Sequence, residues 1–353
     1  MTDFDQWLNL PIASIDEQSK LAATERQSQL TKPAGSLGRL EDIAIHLAGL
    51  QATPYPQIEQ VHITVFAADH GVVAEGISAF PQEVTAEMVR NFSRGGAAIS
   101  VLATELNASL TVLNMGTVAE LEMLDGVIDH RIASGTANFA HQSAMSQTQC
   151  QQAMIIGRNH VQHLKNAGAD VFIGGEMGIG NTTSATAIAA ALLDMAPQKL
   201  AGPGTGLDQN GVNHKVIVIE QAIELHKQYL TSAMAIVQYL GGFEIAALTG
   251  SFIHCAKIGL PVIIDGFITT VAALLAEHIA PSSKNWFLYS HNSAEPGHRA
   301  ILNTMQATPI LDMGMRLGEA SGAASLVPLL RLSCALHSKM ATFSEAEVSK
   351  QSS

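Results

Sequence analysis

Ala169-Asp-Val-Phe-Ile-Gly-Gly-Glu-Met-Gly-Ile-Gly-Asn-Thr-Thr-Ser184 joins an apolar run to four glycines around one carboxylate, and then to a polar cluster that opens an alanine-rich helix. Glycines let backbone N–H groups approach a ligand closely, and a helix N-terminus adds partial positive charge. Together they form an anion site. Glu176 inside that site repels phosphate, so it is expected to face another part of the ligand, such as ribose hydroxyls. The pattern points to a nucleotide-like ligand carrying a single phosphate. Gly175 to Thr182 has the spacing of a P-loop but places Asn181 where the phosphate-reaching lysine belongs, which argues against an NTPase. The glycines also stand in the wrong order for a dinucleotide fingerprint.

Five further apolar runs resemble the first: Val61–Ala67, Leu110–Asn114, Pro261–Asp265, Trp286–Ser290 and Thr308–Leu311. With Ala169–Ile173 they read as six buried strands, apolar throughout rather than alternating, as in a parallel sheet covered on both faces. Each is followed by turn residues and a helical pattern, which predicts βαβ units. The exits gather Asp69-His70-Gly71, Gly174-Gly175-Glu176, Gly266, His291 to Glu295 and Asp312 to Gly314 at the strands' C-terminal ends. Ligands bind at that edge in open α/β sheets. Gln18–Gln29, Gly38–Leu50 and Glu319–Leu336 read as helices, the last with Pro328 inside it as a kink point. Residues 347–353 read as a polar, frayed end.

Hydrophobic residues make up 47% of the 353 and charged residues 14%, so the chain holds a large core and little disordered sequence. A formal net charge of −12 argues against nucleic acid or an anionic membrane as partner. Cys150, Cys255 and Cys334 are scattered without a CxxC spacing and predict buried thiols in a reducing compartment. The N-terminus has no basic patch or apolar signal core, and no apolar run reaches transmembrane length. The pairs His160/His163 and His291/His298 lack a third ligand at metal-site spacing, so solvated or core roles are assigned to them.

Glu319 follows the last predicted strand in Arg316-Leu-Gly-Glu-Ala-Ser-Gly-Ala-Ala324. Among Met313, Met315 and Leu317 it reads as a general base whose pKa is raised by apolar surroundings. The alternative is a carboxylate that complements a helix dipole or pairs with Arg316 at i,i+3. A second glycine loop, Gly202-Pro-Gly-Thr-Gly-Leu-Asp208, followed by Lys215, offers a complement to the first cradle. Asp69-His70-Gly71 with the loop to Gln82 reads as half a pocket or a surface connection, and Asp265 as a ligand contact or a cap for the next helix.

Lys32-Pro-Ala-Gly-Ser-Leu-Gly-Arg-Leu-Glu41, Ala68-Asp-His-Gly-Val72, Gly175 to Thr183, Gly241-Gly-Phe243, Leu260 to Phe267, Ser290-His-Asn-Ser-Ala-Glu295 and Arg316 to Ala323 occur in one order along nearly the whole chain. In this set the chain resembles the nicotinate-nucleotide–dimethylbenzimidazole phosphoribosyltransferases, the CobT family. The resemblance implies a cytoplasmic homodimer. Its fold is α/β: a Rossmann-like open parallel six-stranded sheet with helices on both faces over residues 56–318, plus a small helical domain from the two termini, 1–55 and 319–353. It implies transfer of ribose 5-phosphate from nicotinate mononucleotide to a benzimidazole, giving α-ribazole phosphate and nicotinate, with no cofactor and no metal. The family's catalytic base falls on Glu319. Its phosphate and ribose contacts fall on Glu176, Gly178, Ile179, Gly204 and Lys215, and its base-pocket positions on Phe80, Met88, Met177 and Leu317. Phe80 and Met88 depart from the small or amide side chains associated with those positions. Two other readings stay open on the residues: a non-catalytic nucleotide sensor, and phosphoribosyl transfer to another base or a phenol.

Overall fold

A computed structural model describes residues 2–349, so the last four residues of the polar tail lie outside it. Its single sheet contains β1 (Val61–Ala68), β2 (Ser109–Gly116), β3 (Val127–Asp129), β4 (Val171–Met177), β5 (Val262–Ile264) and β6 (Phe287–Tyr289). The order is β3-β2-β1-β4-β5-β6, and every neighbouring pair is parallel. The chain therefore builds outward from β1 in one direction, then returns to the middle and builds the other way. The reversal lies between β1 and β4, where an open α/β sheet presents its crevice.

Five of the six predicted runs become strands. The sixth does not: Thr308–Leu311 forms only a parallel bridge between Leu311 and His291. Pro309 supplies no N–H, so a ladder cannot run through it, and Ile310 N donates to the carbonyls of Tyr289 and Ser290 instead. The sixth strand is β3, three residues long and mostly solvated at the sheet's edge. Val127-Ile128 is too short an apolar run to mark it.

The sheet's centre is dry. All of β1 except His62 is buried, as is β4 up to Glu176. Both strands contact the helices Phe243–Ile258 and Glu83–Ser93. The first is apolar nearly all round, with 14 buried residues from Phe243 to Ala256, because it is enclosed between the sheet and the helix Gln147–Asn166. Gly174 and Gly175 lie in β4 beside Thr64 and Val65 of β1. They leave out two side chains on opposite faces, and the chain segment 319–320 lies directly over the gap at Gly175.

Elements from both chain ends pack together. The helices Glu17–Gln29 and Arg39–Leu50 contact each other, and the second contacts the helix Ser321–Lys339, which runs on through Pro328. The Arg26 guanidinium donates to the carbonyls of His337 (2.7 Å) and Ser338 (2.9 Å). A bridge joins Leu30 to Thr342. Among the described residues no helix is long and apolar enough to cross a membrane.

Candidate active site

A cavity of about 560 Å³ opens at the C-terminal edge of the sheet beside the β1/β4 reversal. It collects Glu176 and Met177 from the end of β4, Gly178 and Ile179 just beyond it, Gly204 from the second glycine loop, Leu317 and Glu319 from the segment before the helix Ser321–Lys339, Met88 from the middle of the helix Glu83–Ser93 and Phe80 from the loop before that helix. Nine of the ten residues singled out from sequence thus share one cavity. The tenth, Lys215, is buried behind its wall, and its ammonium donates to Thr182 Oγ1 and Gly202 O, both at 3.3 Å. A second cavity of about 420 Å³ lies along β6, lined by Arg39, His46 and Tyr289 among others, and contains none of these residues.

The cavity has two chemically different ends. One is polar and built for an anion. Gly204 sits beside Thr182 and the Lys215 ammonium, and the Arg316 guanidinium donates to Gly204 O at 3.3 Å. Arg316 therefore faces the second glycine loop and makes no ion pair with Glu319, which removes one alternative for that carboxylate. Glu295 is the counterweight: burial raises its pKa, while Lys215, Arg316 and the Gly204 N–H pull it down. Burial lowers Lys215 to about 8, against the opposing pull of Glu295. Ile179, expected as a phosphate contact, has its N–H engaged by Thr85 Oγ1 at 3.1 Å. The other end is greasy, formed by Phe80, Val84, Met88, Met177 and Leu317.

Besides Glu295, three buried carboxylates line the cavity: Glu176, Asp265 and Glu319. Glu176 is pushed up to about 8, first by burial and then by Glu244, Asp265 and Glu319 nearby, while the Asn181 amide opposes the shift. Asn181 Nδ2 donates to Glu176, which accounts for the asparagine at the lysine position of a P-loop pattern. Asp265 is raised to about 7 by burial, opposed by the N–H groups of Ala323, Gly322, Gly266 and Ala320. Burial also raises Glu319, with the Ile99 N–H opposing. Its Oε2 has no hydrogen-bond partner within the protein. A buried acceptor without a partner is rare and calls for an explanation, and a ligand N–H is one.

The Glu319 backbone is unusual as well. Glu319 and Ala320 have φ of 61° and 72°, left-handed conformations that side-chain-bearing residues seldom adopt. Glu319 is therefore not the first turn of the helix, as sequence suggested, but the residue before its Ala320 N-cap. A Cβ on Gly175 would lie 2.7 Å from Ala320 N, so the segment rests on bare backbone of β4.

Beneath the glycine turn, His70 Nε2 and Glu244 Oε1 are 2.6 Å apart, and both side chains are fully buried. The His70 carbonyl accepts from the Gln82 amide at 2.8 Å, and Asp69 accepts from Val118 N at 2.7 Å. The Asp69-His70-Gly71 turn is thus a buried brace under the cavity and not a surface connection. Sequence reasoning missed Arg316 and Glu295 as site residues and gave His291 a structural role, although it lines the cavity. Asp265, read as a ligand contact or a cap for the next helix, lines the cavity, and the helix it caps is Ser321–Lys339, through Ala323 N. The only local signal for these four was their place at strand exits or inside the Arg316–Ala323 motif.

Sheet order, edge and anion corner define a Rossmann-like α/β protein with a nucleotide-sized site at its switch point. A family model described as Phosphoribosyltransferase matches residues 12–348. Nicotinate-nucleotide–dimethylbenzimidazole phosphoribosyltransferases of Pseudomonas aeruginosa UCBPP-PA14 and Pseudomonas putida GB-1 are 54% and 56% identical, covering 98% and 95% of both chains. A crystal structure of CobT from Thermus thermophilus superposes with a TM-score of 0.90 at 40% identity, over 95% of this chain and 100% of that one. The chain belongs to the nicotinate-nucleotide–dimethylbenzimidazole phosphoribosyltransferase family.

Proposed function

We propose that this protein transfers ribose 5-phosphate from nicotinate mononucleotide to 5,6-dimethylbenzimidazole, releasing nicotinate and α-ribazole 5′-phosphate in assembly of the cobalamin nucleotide loop. The observation that carries the reading is the Glu319 carboxylate: buried, with one oxygen unpartnered, and lining the same cavity as a set of apolar side chains and the Gly204–Arg316 corner. The phosphate goes to the corner of Gly178, Gly204, Lys215 and Arg316, and the ribose lies against Glu176. The acceptor ring lies among Phe80, Met88, Met177 and Leu317.

The chemistry needs little more. The donor's pyridinium nitrogen is already cationic, so when the C1′–N bond breaks the electron pair neutralises it, and nicotinate leaves without a general acid. An acceptor nitrogen attacks C1′ from the opposite face, which inverts the anomeric centre from β to α. Glu319 takes the acceptor's N–H proton as the new bond forms. Its raised pKa makes it a stronger proton acceptor than a solvated carboxylate. Held positions supply the rest of the rate.

Glu319→Gln is expected to lower turnover by roughly 10²–10⁴ with the protein still folded. Nicotinate release is followed by chromatography with both substrates present. Near-normal turnover in this variant ends the assignment. Nicotinate formation that depends on the acceptor excludes a sensor, and a panel of benzimidazoles, adenine and phenols sorts acceptor classes.

The same reading takes the protein as a cytoplasmic homodimer, with residues 56–318 as the substrate-binding unit and 1–55 with 319–353 as the helical one. The three free, buried cysteines support a reducing compartment. Exposed Val118, Met123 and Ile128, in and before edge strand β3, support a partner subunit.

A further inference from the structure

Asp265 stands at the end of β5, 2% exposed, and its Oδ1 accepts from Ala323 N at 2.8 Å. Ala323 belongs to the first turn of the 19-residue helix Ser321–Lys339, whose N-cap, Ala320, has no side-chain cap. The N–H groups of Ala320 and Gly322 also act on the Asp265 carboxylate. The helix start is thus capped from another element of the chain, by a carboxylate 58 residues before Ala323. Charge and hydrogen bond both favour this placement, because an anion complements the unsatisfied N–H groups and dipole of a helix N-terminus.

Glu319 immediately precedes that cap. It and Ala320 sit in the left-handed region, at φ of 61° and 72°. Such conformations persist in side-chain-bearing residues only where the surroundings over-determine them. Three contacts do so here. Gly175 supports the segment from beneath. The Ser321 hydroxyl and backbone N–H both donate to Gly318 O, at 2.7 and 3.0 Å. Asp265 pins the other side of the turn through Ala323. The His291 ring lies against Gly322 and the Glu176 carboxylate against Gly318, but the side-chain hydrogen bond from outside the segment that fixes where the helix begins is that of Asp265.

We infer that Asp265 is a positioning residue: by anchoring the first turn of the helix Ser321–Lys339 it holds the Glu319 carboxylate at the reacting position. The inference rests on Glu319 being the general base. Asp265 acts on the base through the backbone and takes no proton from the acceptor. Displacing a base by about 1 Å costs up to ~10² in rate while leaving ground-state binding largely intact. The effect therefore falls on kcat and spares KM.

The test compares Asp265→Ala, Asp265→Asn and Glu319→Gln in the full-length protein, with turnover normalised to folded protein. Asp265→Ala is expected to lower kcat about 100-fold with KM for nicotinate mononucleotide and for dimethylbenzimidazole within about 3-fold. Asp265→Asn keeps an oxygen for Ala323 N and is expected to recover to within about 10-fold of the parent. Amide hydrogen exchange of residues 319–324 is expected to rise in both variants while the rest of the helix stays protected. If Asp265→Ala does not fold, Asp265→Asn carries the same two readouts. Parental kcat in the Asp265 variants with Glu319→Gln inactive overturns this inference alone. A loss confined to KM overturns it too, by placing Asp265 on a substrate. Parental kcat in Glu319→Gln instead removes the general base itself.

Discussion

Gly175→Ala places one methyl group between β4 and the segment that carries Glu319. The added carbon would lie 2.7 Å from Ala320 N and 2.8 Å from both Ala320 Cβ and Glu319 C. Ordinary contact begins near 3.4 Å, so from 2.7 Å the segment must retreat by about 0.7 Å. The atoms in the way are mainly backbone, which cannot rotate aside as a side-chain end does. Overpacking of this kind costs about 1–3 kcal/mol, and a base displaced by somewhat under 1 Å loses about 10- to 100-fold in turnover. Gly174→Ala is the control. Its added carbon points to the other face of the strand and meets Leu248 Cδ2 at 2.6 Å and Phe252 Cε1 at 3.1 Å, far in sequence from Glu319. Both variants are expected to lose stability in denaturant melts. Only Gly175→Ala is expected to lose kcat in the nicotinate-release assay. Equal losses of kcat in the two variants, or parental kcat in Gly175→Ala, would refute the reasoning that Glu319 is aimed by its rest on β4.

Glu176 has a folded-state pKa of about 8 against an ordinary 4.5. The native state thus binds the extra proton between those values, and this contribution to stability, full below pH 4.5, is lost as pH rises towards 8. Glu176→Gln removes the titration, so the variant is expected to gain a few kcal/mol over the parent on going from about pH 5 to about pH 8 in urea unfolding; an equal difference at both pH values counts against it. Lys215→Met removes the buried ammonium at the anion corner and is expected to raise KM for nicotinate mononucleotide about 10- to 100-fold, the worth of one charge-assisted hydrogen bond, with KM for the acceptor unchanged. Steady-state kinetics with each substrate varied in turn checks this. His70→Ala strands Glu244 in the core without its 2.6 Å partner and is expected to cost about 3–5 kcal/mol in chemical denaturation; a loss under about 1 kcal/mol counts against the pair as a brace.

The residues determined a good deal by themselves. Continuous apolar runs at Val61, Leu110, Ala169, Pro261 and Trp286 marked β1, β2, β4, β5 and β6, because buried parallel strands show no alternation and turn residues bound them. The two glycine loops and Lys215 marked an anion corner, since backbone approach and positive charge are written locally. The error at Thr308–Leu311 came from the same rule: an apolar stretch looks alike whether it pairs or only crosses a strand end, and Pro309 decided against pairing. β3 was invisible because its three residues, mostly solvated, owe their pairing to β2 beside them and not to their own pattern.

Only the tertiary structure decided which loops meet. Glu176, Asp265 and Glu319 lie far apart along the chain, and the strand order, set by non-local packing, brings their carboxylates to one edge. The same packing turns Arg316 towards Gly204 and away from Glu319, and hands the start of the last helix to Asp265. It also supplies the electrostatics. A carboxylate's pKa depends on how much water its neighbours exclude and which charges they bring near, and both follow from the assembled fold.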